Sequence, residues 1–171
     1  MATVLWFTGL SGAGKTTIAE LVADGLRALG KSVKIIDGDS VRDTIHKHLG
    51  FTAEDITENN RLIAELAKQL MKNFDFILVP IISPFERSRM LAKKIIGDGF
   101  LELYVESHED VRVARDPKGL YKKAQEGHIK NLIGYGGVAY EVPKGPDIVV
   151  NTDTSTPAEN AANILKFLNV L

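Results

Sequence analysis

The segment Gly9-Leu10-Ser11-Gly12-Ala13-Gly14-Lys15-Thr16 fits the pattern of glycine, four residues, then Gly-Lys-Ser/Thr. Glycines at this spacing let the backbone curl so that successive N–H groups converge on phosphate oxygens. A helix opening near Lys15 adds the positive end of its dipole. Lys15 is then placed to reach the β- and γ-phosphates of a nucleotide, and the Thr16 hydroxyl to hold Mg²⁺. Gly9, Ser11, Gly12, Ala13, Gly14, Lys15, Thr16 and Thr17 form the candidate nucleotide cradle, with ATP and Mg²⁺ the expected cofactors.

A phosphate cradle needs an acid beside it. Many ATPases place one at the end of the third strand, but here that strand ends Ile81-Ile82-Ser83-Pro84, without a carboxylate. The supplier is then Asp37-Gly38-Asp39, where Gly38 lets the chain turn so that one or both carboxylates reach the γ-phosphate, and an ionised aspartate there could accept a proton from an attacking hydroxyl and steady the metal. Taken alone, the same residues would also serve as an ordinary polar turn after a strand. Arg42 lies three residues beyond Asp39 and Arg61 beside Glu58, Asn59 and Asn60; such forks suit phosphate or sulfate, or equally a surface ion pair. A guanine-nucleotide switch is disfavoured: Asn151-Thr152-Asp153-Thr154 lacks the guanine-reading lysine, and Asp116-Pro117-Lys118-Gly119 mimics a switch motif in the wrong place.

The elements that position these residues follow from hydrophobic periodicity. Val4 to Thr8 reads as a buried strand running into the glycine loop, followed by a helix from Lys15 with Ile18, Leu21, Val22, Leu26 and Leu29 on one face. Ser32–Ile36 is a second strand, and a short helix is expected from Ser40 to about Leu49. Ile63, Leu66, Ala67, Leu70, Met71 and Phe74 mark the clearest helix. Phe76 to Ile82 is a near-continuous apolar strand blemished by Pro80, with Ser83-Pro84 opening a helix to about Ile96. Leu101 to Val105, a short helix from Glu109 to Ala114, a strand at 147–151 and a helix capped by Thr156-Pro157-Ala158-Glu159 complete the alternation. Residues 115–143 break it: rich in lysine, glycine and tyrosine, they read as a basic lid that closes over phosphates, or as a solvated loop.

Alternating strands and helices predict an α/β fold with a parallel five-stranded sheet and helices on both faces. Ligands then bind at the carboxyl ends of the strands, after Thr8, Ile36, Ile82 and Val105. The 171 residues read as a single domain, 1–171, with the lid as an insert at about 115–143. A net charge of −1 argues against a general nucleic-acid binder, and the absence of cysteine excludes disulfide scaffolds and cysteine nucleophiles. No apolar stretch approaches the roughly 18 residues of a membrane span, and Met1-Ala2-Thr3 does not open a signal peptide, so a cytoplasmic enzyme is expected.

At this point the residues resemble the adenylylsulfate kinase family of P-loop kinases. The resemblance is carried by Phe7 to Gly12, Asp37-Gly38-Asp39 with Arg42, Leu49-Gly50-Phe51, Glu58-Asn59-Asn60-Arg61 and Ile82-Ser83-Pro84-Phe85. Its most specific part is the block Ala114 to Ala124. It implies the three-layer P-loop NTPase fold and ATP-dependent phosphorylation of the 3′-hydroxyl of adenylyl sulfate. Asp39 is then similar to the catalytic carboxylate, alongside Lys15, and is expected to hold the metal with Thr16, while Arg42 and Arg61 are similar to clamps on the phosphosulfate. Asn59 and the Ile82-Ser83-Pro84 backbone would help hold the substrate, Phe51 would stack on its adenine, and Lys118, Gly119 and Leu120 would cover it. Arg115 would sit near the ATP base. Members of the family often form dimers, which implies a homodimer.

Ser83 matches a serine that is phosphorylated in some members; before a helix it reads rather as a cap that positions substrate. Two departures stand out. Leu132 occupies the place of a second aromatic that completes the adenine sandwich, giving up part of a stack worth about 1 kcal/mol. The segment Tyr135-Gly136-Gly137-Val138-Ala139-Tyr140-Glu141 replaces the family's Ile-Asp-x-Pro-Tyr-Glu. A kinase for another nucleotide-like or small hydroxyl acceptor is the alternative, and a non-catalytic ATP-binding module a second. His46 and His48, two apart, do not share a helix face and do not suggest a metal site, and Trp6 reads as core.

Overall fold

Side-chain alternation along the first strand decides the layering. In the computed structural model, which describes residues 2–46, 48–135 and 138–170, β1 (Thr3–Thr8) sends Leu5 and Phe7 into one core and Val4 and Trp6 into another. β3 (Phe76–Pro80) divides Phe76 and Leu78 from Ile77 and Val79 in the same way. Strands apolar on both faces belong in the middle of a sheet. The order is β2-β3-β1-β4-β5, all parallel, with β2 at Val33–Ile35, β4 at Phe100–Glu106 and β5 at Ile148–Asn151.

α1 (Lys15–Ala28) and α7 (Pro157–Phe167) cover one face through Ile18, Val22, Leu26, Ile164 and Leu165. α3 (Ala53–Leu70) and α4 (Glu86–Ile96) cover the other through Ile63, Ala64, Ala67, Ala92 and Ile96, with Trp6 beneath them against Phe100. The expected three-layer fold is therefore present. α3 and α7 each begin at a reciprocal capping box, Thr52 with Asp55 and Thr156 with Glu159. No helix among the described residues is long and apolar enough to cross a membrane.

Several boundaries differ from the sequence expectation, each for a local reason. The short helix expected from Ser40 starts earlier and ends earlier: α2 spans Gly38–Thr44, because Asp37 accepts the amides of Asp39 and Ser40 and so caps it. Leu21 and Leu29, expected on the buried face of α1, are exposed. The helix expected from Ser83-Pro84 begins at Glu86, since Ser83 adopts φ 47°, incompatible with a helix. β3 ends at Pro80; Ile81 N–H bonds Phe7 O, so the Pro80 nitrogen faces the side where β2 has already ended. The lid is more ordered than its composition suggested: after α5 (Glu109–Arg115) it contains α6 (Leu120–Gln125). Gly136 and Gly137 of the altered segment lie outside the described residues.

The chain first lays β2 and β3 on one side of β1 and then crosses to lay β4 and β5 on the other, so the loop leaving β1 opens at the point where strand order reverses. That is where an open α/β sheet leaves a crevice for ligands.

Candidate active site

The loop after β1 is built by its glycines. Gly12 and Gly14 take φ 77° and 100°, and a Cβ on Gly9 would stand 2.6 Å from the Val105 carbonyl of β4. Gly14 is the N-cap of α1 and supplies no side chain to it, leaving first-turn amides for a ligand. Lys15 folds back so that Nζ donates to Leu10 O at 2.9 Å. Burial lowers its pKa to about 8, Asp39 pulling it up and Lys118 pushing it down.

A cavity of about 630 Å³ lies over this loop, walled by Ser11, Gly12, Gly14, Lys15, Thr16 and Thr17 on one side. Asp37, Asp39, Ile82, Arg115 and Lys118 complete it. Gly9 and Ala13 lie beneath the wall, Ala13 buried with its carbonyl accepting from Thr152 Oγ1 at 2.9 Å. The two acids separate. Thr16 Oγ1 donates to Asp37 Oδ2 at 3.1 Å, while Asp39 forms an ion pair with Lys118. The hydroxyl expected to hold a metal with Asp39 thus faces Asp37 instead. Hard oxygens of this kind, few in number, suit Mg²⁺, which takes one or two protein ligands and completes its shell with phosphate and water. Among the described residues no cluster of three or more acidic, histidine or cysteine side chains suggests another kind of metal centre.

Arg115 donates Nη2 to Thr152 O at 2.7 Å and Nη1 to Thr152 Oγ1 at 3.0 Å. With Gly14, Thr17, Ile18 and Pro157 these two residues line an adjoining cavity of about 320 Å³, the space a nucleotide base would reach from the loop. Thr152 entered the sequence reading only as part of a segment lacking a guanine-reading lysine, and its place beside Arg115 was missed because the end of the fifth strand was not among the strand ends singled out. The lid is tied down by Tyr121, buried in α6, whose hydroxyl donates to Ser11 O at 2.8 Å and accepts from Arg112 Nε at 3.3 Å. Asp116, in the segment that mimicked a switch motif, accepts the amides of Tyr121 and Lys122 and so anchors α6. Gly119 and Leu120 start that helix and line neither main cavity.

A narrower cavity of about 70 Å³ continues past Asp39 between Arg42, Phe51, Asn59, Asn60, Ile82, Ser83, Pro84 and Ile133. The Arg42 guanidinium lies 4.1 Å from the centre of the exposed Phe51 ring. Opposite, it is Ile133 that lines the cavity; Leu132, expected in the place of a second aromatic, is buried in a bridge to Tyr135. Arg61 stands apart from both cavities, its Nε and Nη2 clasping Glu58 at 2.8 and 2.7 Å and Nη1 reaching Glu65. That clasp holds the Glu58 carboxyl below the usual carboxylate range. Ser83 is not the expected helix cap. Phe85 is the N-cap without a side-chain bond, and Glu141 Oε2 accepts the Glu86 amide at 2.6 Å in its stead. Ser83 is held by its carbonyl, which accepts from Arg89 and Thr8 at 2.9 and 3.2 Å.

Known proteins resemble this chain over most of its length. Residues 1–151 match the family described as Adenylylsulphate kinase. A probable adenylyl-sulfate kinase of Pyrococcus abyssi is 45% identical over 95% of this chain and 92% of its own. An adenylyl-sulfate kinase of Clostridium kluyveri is 42% identical over 97% of this chain and 83% of its own. Among solved structures, the Mycobacterium tuberculosis APS kinase CysC in complex with AMPPNP and APS superimposes with a TM-score of 0.93 at 37% identity, covering 98% of both chains. Shikimate kinase from Acinetobacter baumannii, at 14% identity and a TM-score of 0.57, shares the fold alone.

Proposed function

The chain belongs to the adenylylsulfate kinase family, and on that footing we propose that it transfers the γ-phosphoryl group of ATP to the 3′-hydroxyl of adenylyl sulfate, giving 3′-phosphoadenylyl sulfate and ADP. The observation that carries this reading is the meeting of two cavities at Asp39. One opens on the phosphate-binding loop, the other on Arg42, Phe51 and Asn59, so a carboxylate sits where donor and acceptor meet.

ATP lies along the loop with its phosphates on the Gly12, Gly14 and α1 amides, Arg115 beside its base, and Lys15 released from Leu10 O to pair with the β- and γ-phosphates. Thr16, with Asp37 behind it, would hold Mg²⁺, which would supply charge neutralisation of the phosphates. Arg42 and Asn59 receive the phosphosulfate, with the Ile82 to Pro84 turn beside them and Phe51 against the adenine. Arg61 joins them on exchanging its Glu58 partner for the anion. The 3′-oxygen attacks the γ-phosphorus, the bond to the β,γ-bridging oxygen breaks, and the hydroxyl proton passes to Asp39. Lys118 leaves Asp39 for the transferring charge as the lid closes, and the turn Lys118-Gly119-Leu120 covers the acceptor.

Acceptor-dependent ADP release tests the reading, with adenylyl sulfate compared against its guanosine and cytidine counterparts and AMP. Strong preference for adenylyl sulfate is expected, and an Asp39→Asn variant should lose at least ~10²-fold in kcat. ATP binding without turnover on adenylyl sulfate would move the acceptor to another hydroxyl compound. A homodimer in the cytoplasm accords with the family resemblance; light scattering on the purified chain measures the first.

A further inference from the structure

His46 follows α2 and is buried against α3, its backbone fixed by bonds from its amide to Val41 O and from the Leu49 amide to its carbonyl. Its Nδ1 lies 2.7 Å from Oδ1 of Asn59, which is 3% exposed and lines the narrow cavity with Arg42. An amide oxygen only accepts, so the imidazole carries its proton on Nδ1. The consequence falls on the other end of the amide. With Oδ1 held, Asn59 presents Nδ2, a donor with no partner among the described residues, to the cavity. The opposite pairing, with Nδ2 donating to a bare Nδ1, would turn a carbonyl dipole toward the cavity, where it would repel an anion.

We propose that His46 is a positioning residue: by donating Nδ1–H to Asn59 it sets that amide to offer N–H, not C=O, to an anionic oxygen of the acceptor substrate. This rests on the reading of Asn59 as a substrate contact and deepens it. The same bond explains why a buried histidine with no metal partner stands in this connection.

Steady-state kinetics on His46→Leu, His46→Asn, Asn59→Ala and the His46→Leu/Asn59→Ala double variant test it, with thermal unfolding of each as a folding check. The Leu variant should raise KM for adenylyl sulfate roughly five- to tenfold, as loss of one oriented hydrogen bond does, leaving KM for ATP near its parent value. The Asn variant should restore it, because an asparagine amide nitrogen falls close to where imidazole Nδ1 stood. The double variant should be no worse than Asn59→Ala alone. If Asn59→Ala raises KM for adenylyl sulfate and His46→Leu does not, the positioning role is wrong while the contact stands. If Asn59→Ala has no effect, the contact itself is wrong and the inference goes with it. If both KM values rise and His46→Asn rescues neither, His46 serves only to hold the connection between α2 and α3.

Discussion

Asp37 commits Oδ1 to the first amides of α2 and keeps Oδ2 for Thr16, whereas Asp39, in the first turn of that helix, is exposed and pairs with Lys118 across the cavity. Sequence could show that this turn carries the acid missing from β3, and could not show which acid does what. The division depends on a helix beginning at Gly38, two residues before the expected start. Replacing Asp37 by Asn keeps the cap and removes the charge behind Thr16, so the Mg²⁺ concentration for half-maximal activity should rise by on the order of tenfold or more. Asp39→Asn should instead depress kcat with little change in that Mg²⁺ requirement. A Mg²⁺ titration of both variants decides; if the requirement shifts in Asp39→Asn alone, the carboxylates have exchanged roles. Leu132 teaches the same lesson from the other direction. Its position by alignment with an aromatic suggested the cavity wall, yet the tight turn to Tyr135 buries it and turns Ile133 outward, a reversal that periodicity cannot reveal in a segment without period.

At the scale of elements, the strands and the four large helices were legible because each has an apolar face of regular spacing or a capping signature. Val4 to Phe7, Ile63 to Ala67 and Thr156 to Glu159 are examples, all in the expected places. The lid was not, because its helix is short and its order comes from contacts distant in sequence. Tyr121 bonds Ser11, 110 residues away, and the Arg112 guanidinium packs between that hydroxyl and Ser107 O. Tyr121→Phe removes the donor from Ser11 and the acceptor from Arg112. Stability should fall by about 1 kcal/mol, or roughly 2–4 °C in Tm, and KM for ATP should rise severalfold as the loop loses its strut. Ser32→Ala provides the contrast: loss of the Ser32 Oγ bonds to Asp75, at the end of the sheet away from the cavities, should cost a similar ~1 kcal/mol and leave both KM values unchanged. Equal kinetic effects from the two variants would mean that the Tyr121 bond supports the fold and not the loop.

At the scale of the whole molecule, the phosphate site is held ready against the preference of the fold. Lys15 ionises at about 8 in the free protein against 10.5 unfolded, because burial outweighs the pull of Asp39. The folded chain therefore favours the neutral amine. Below pH 8 the protonated lysine opposes folding by up to about 3 kcal/mol, somewhat less for a partly accessible side chain, and this penalty disappears as pH rises from about 8 to 10.5. Nucleotide phosphates reverse the preference by pairing with the ammonium. Above pH 8, ATP binding should accordingly take up a proton, and affinity should weaken by up to about tenfold per pH unit, as calorimetry in buffers of different ionisation enthalpy would show. The decisive variant is Lys15→Met, which fills the same space without charge. At pH 7 it should melt several degrees above the parent, despite losing the bond to Leu10 O, and gain nothing from added ATP. The difference should close as pH approaches 10.5. If the Met variant melts below the parent at pH 7, then Asp37 and Asp39 hold the ammonium more strongly than burial disfavours it, and the free site is a neutralised pair instead of a charge awaiting phosphate.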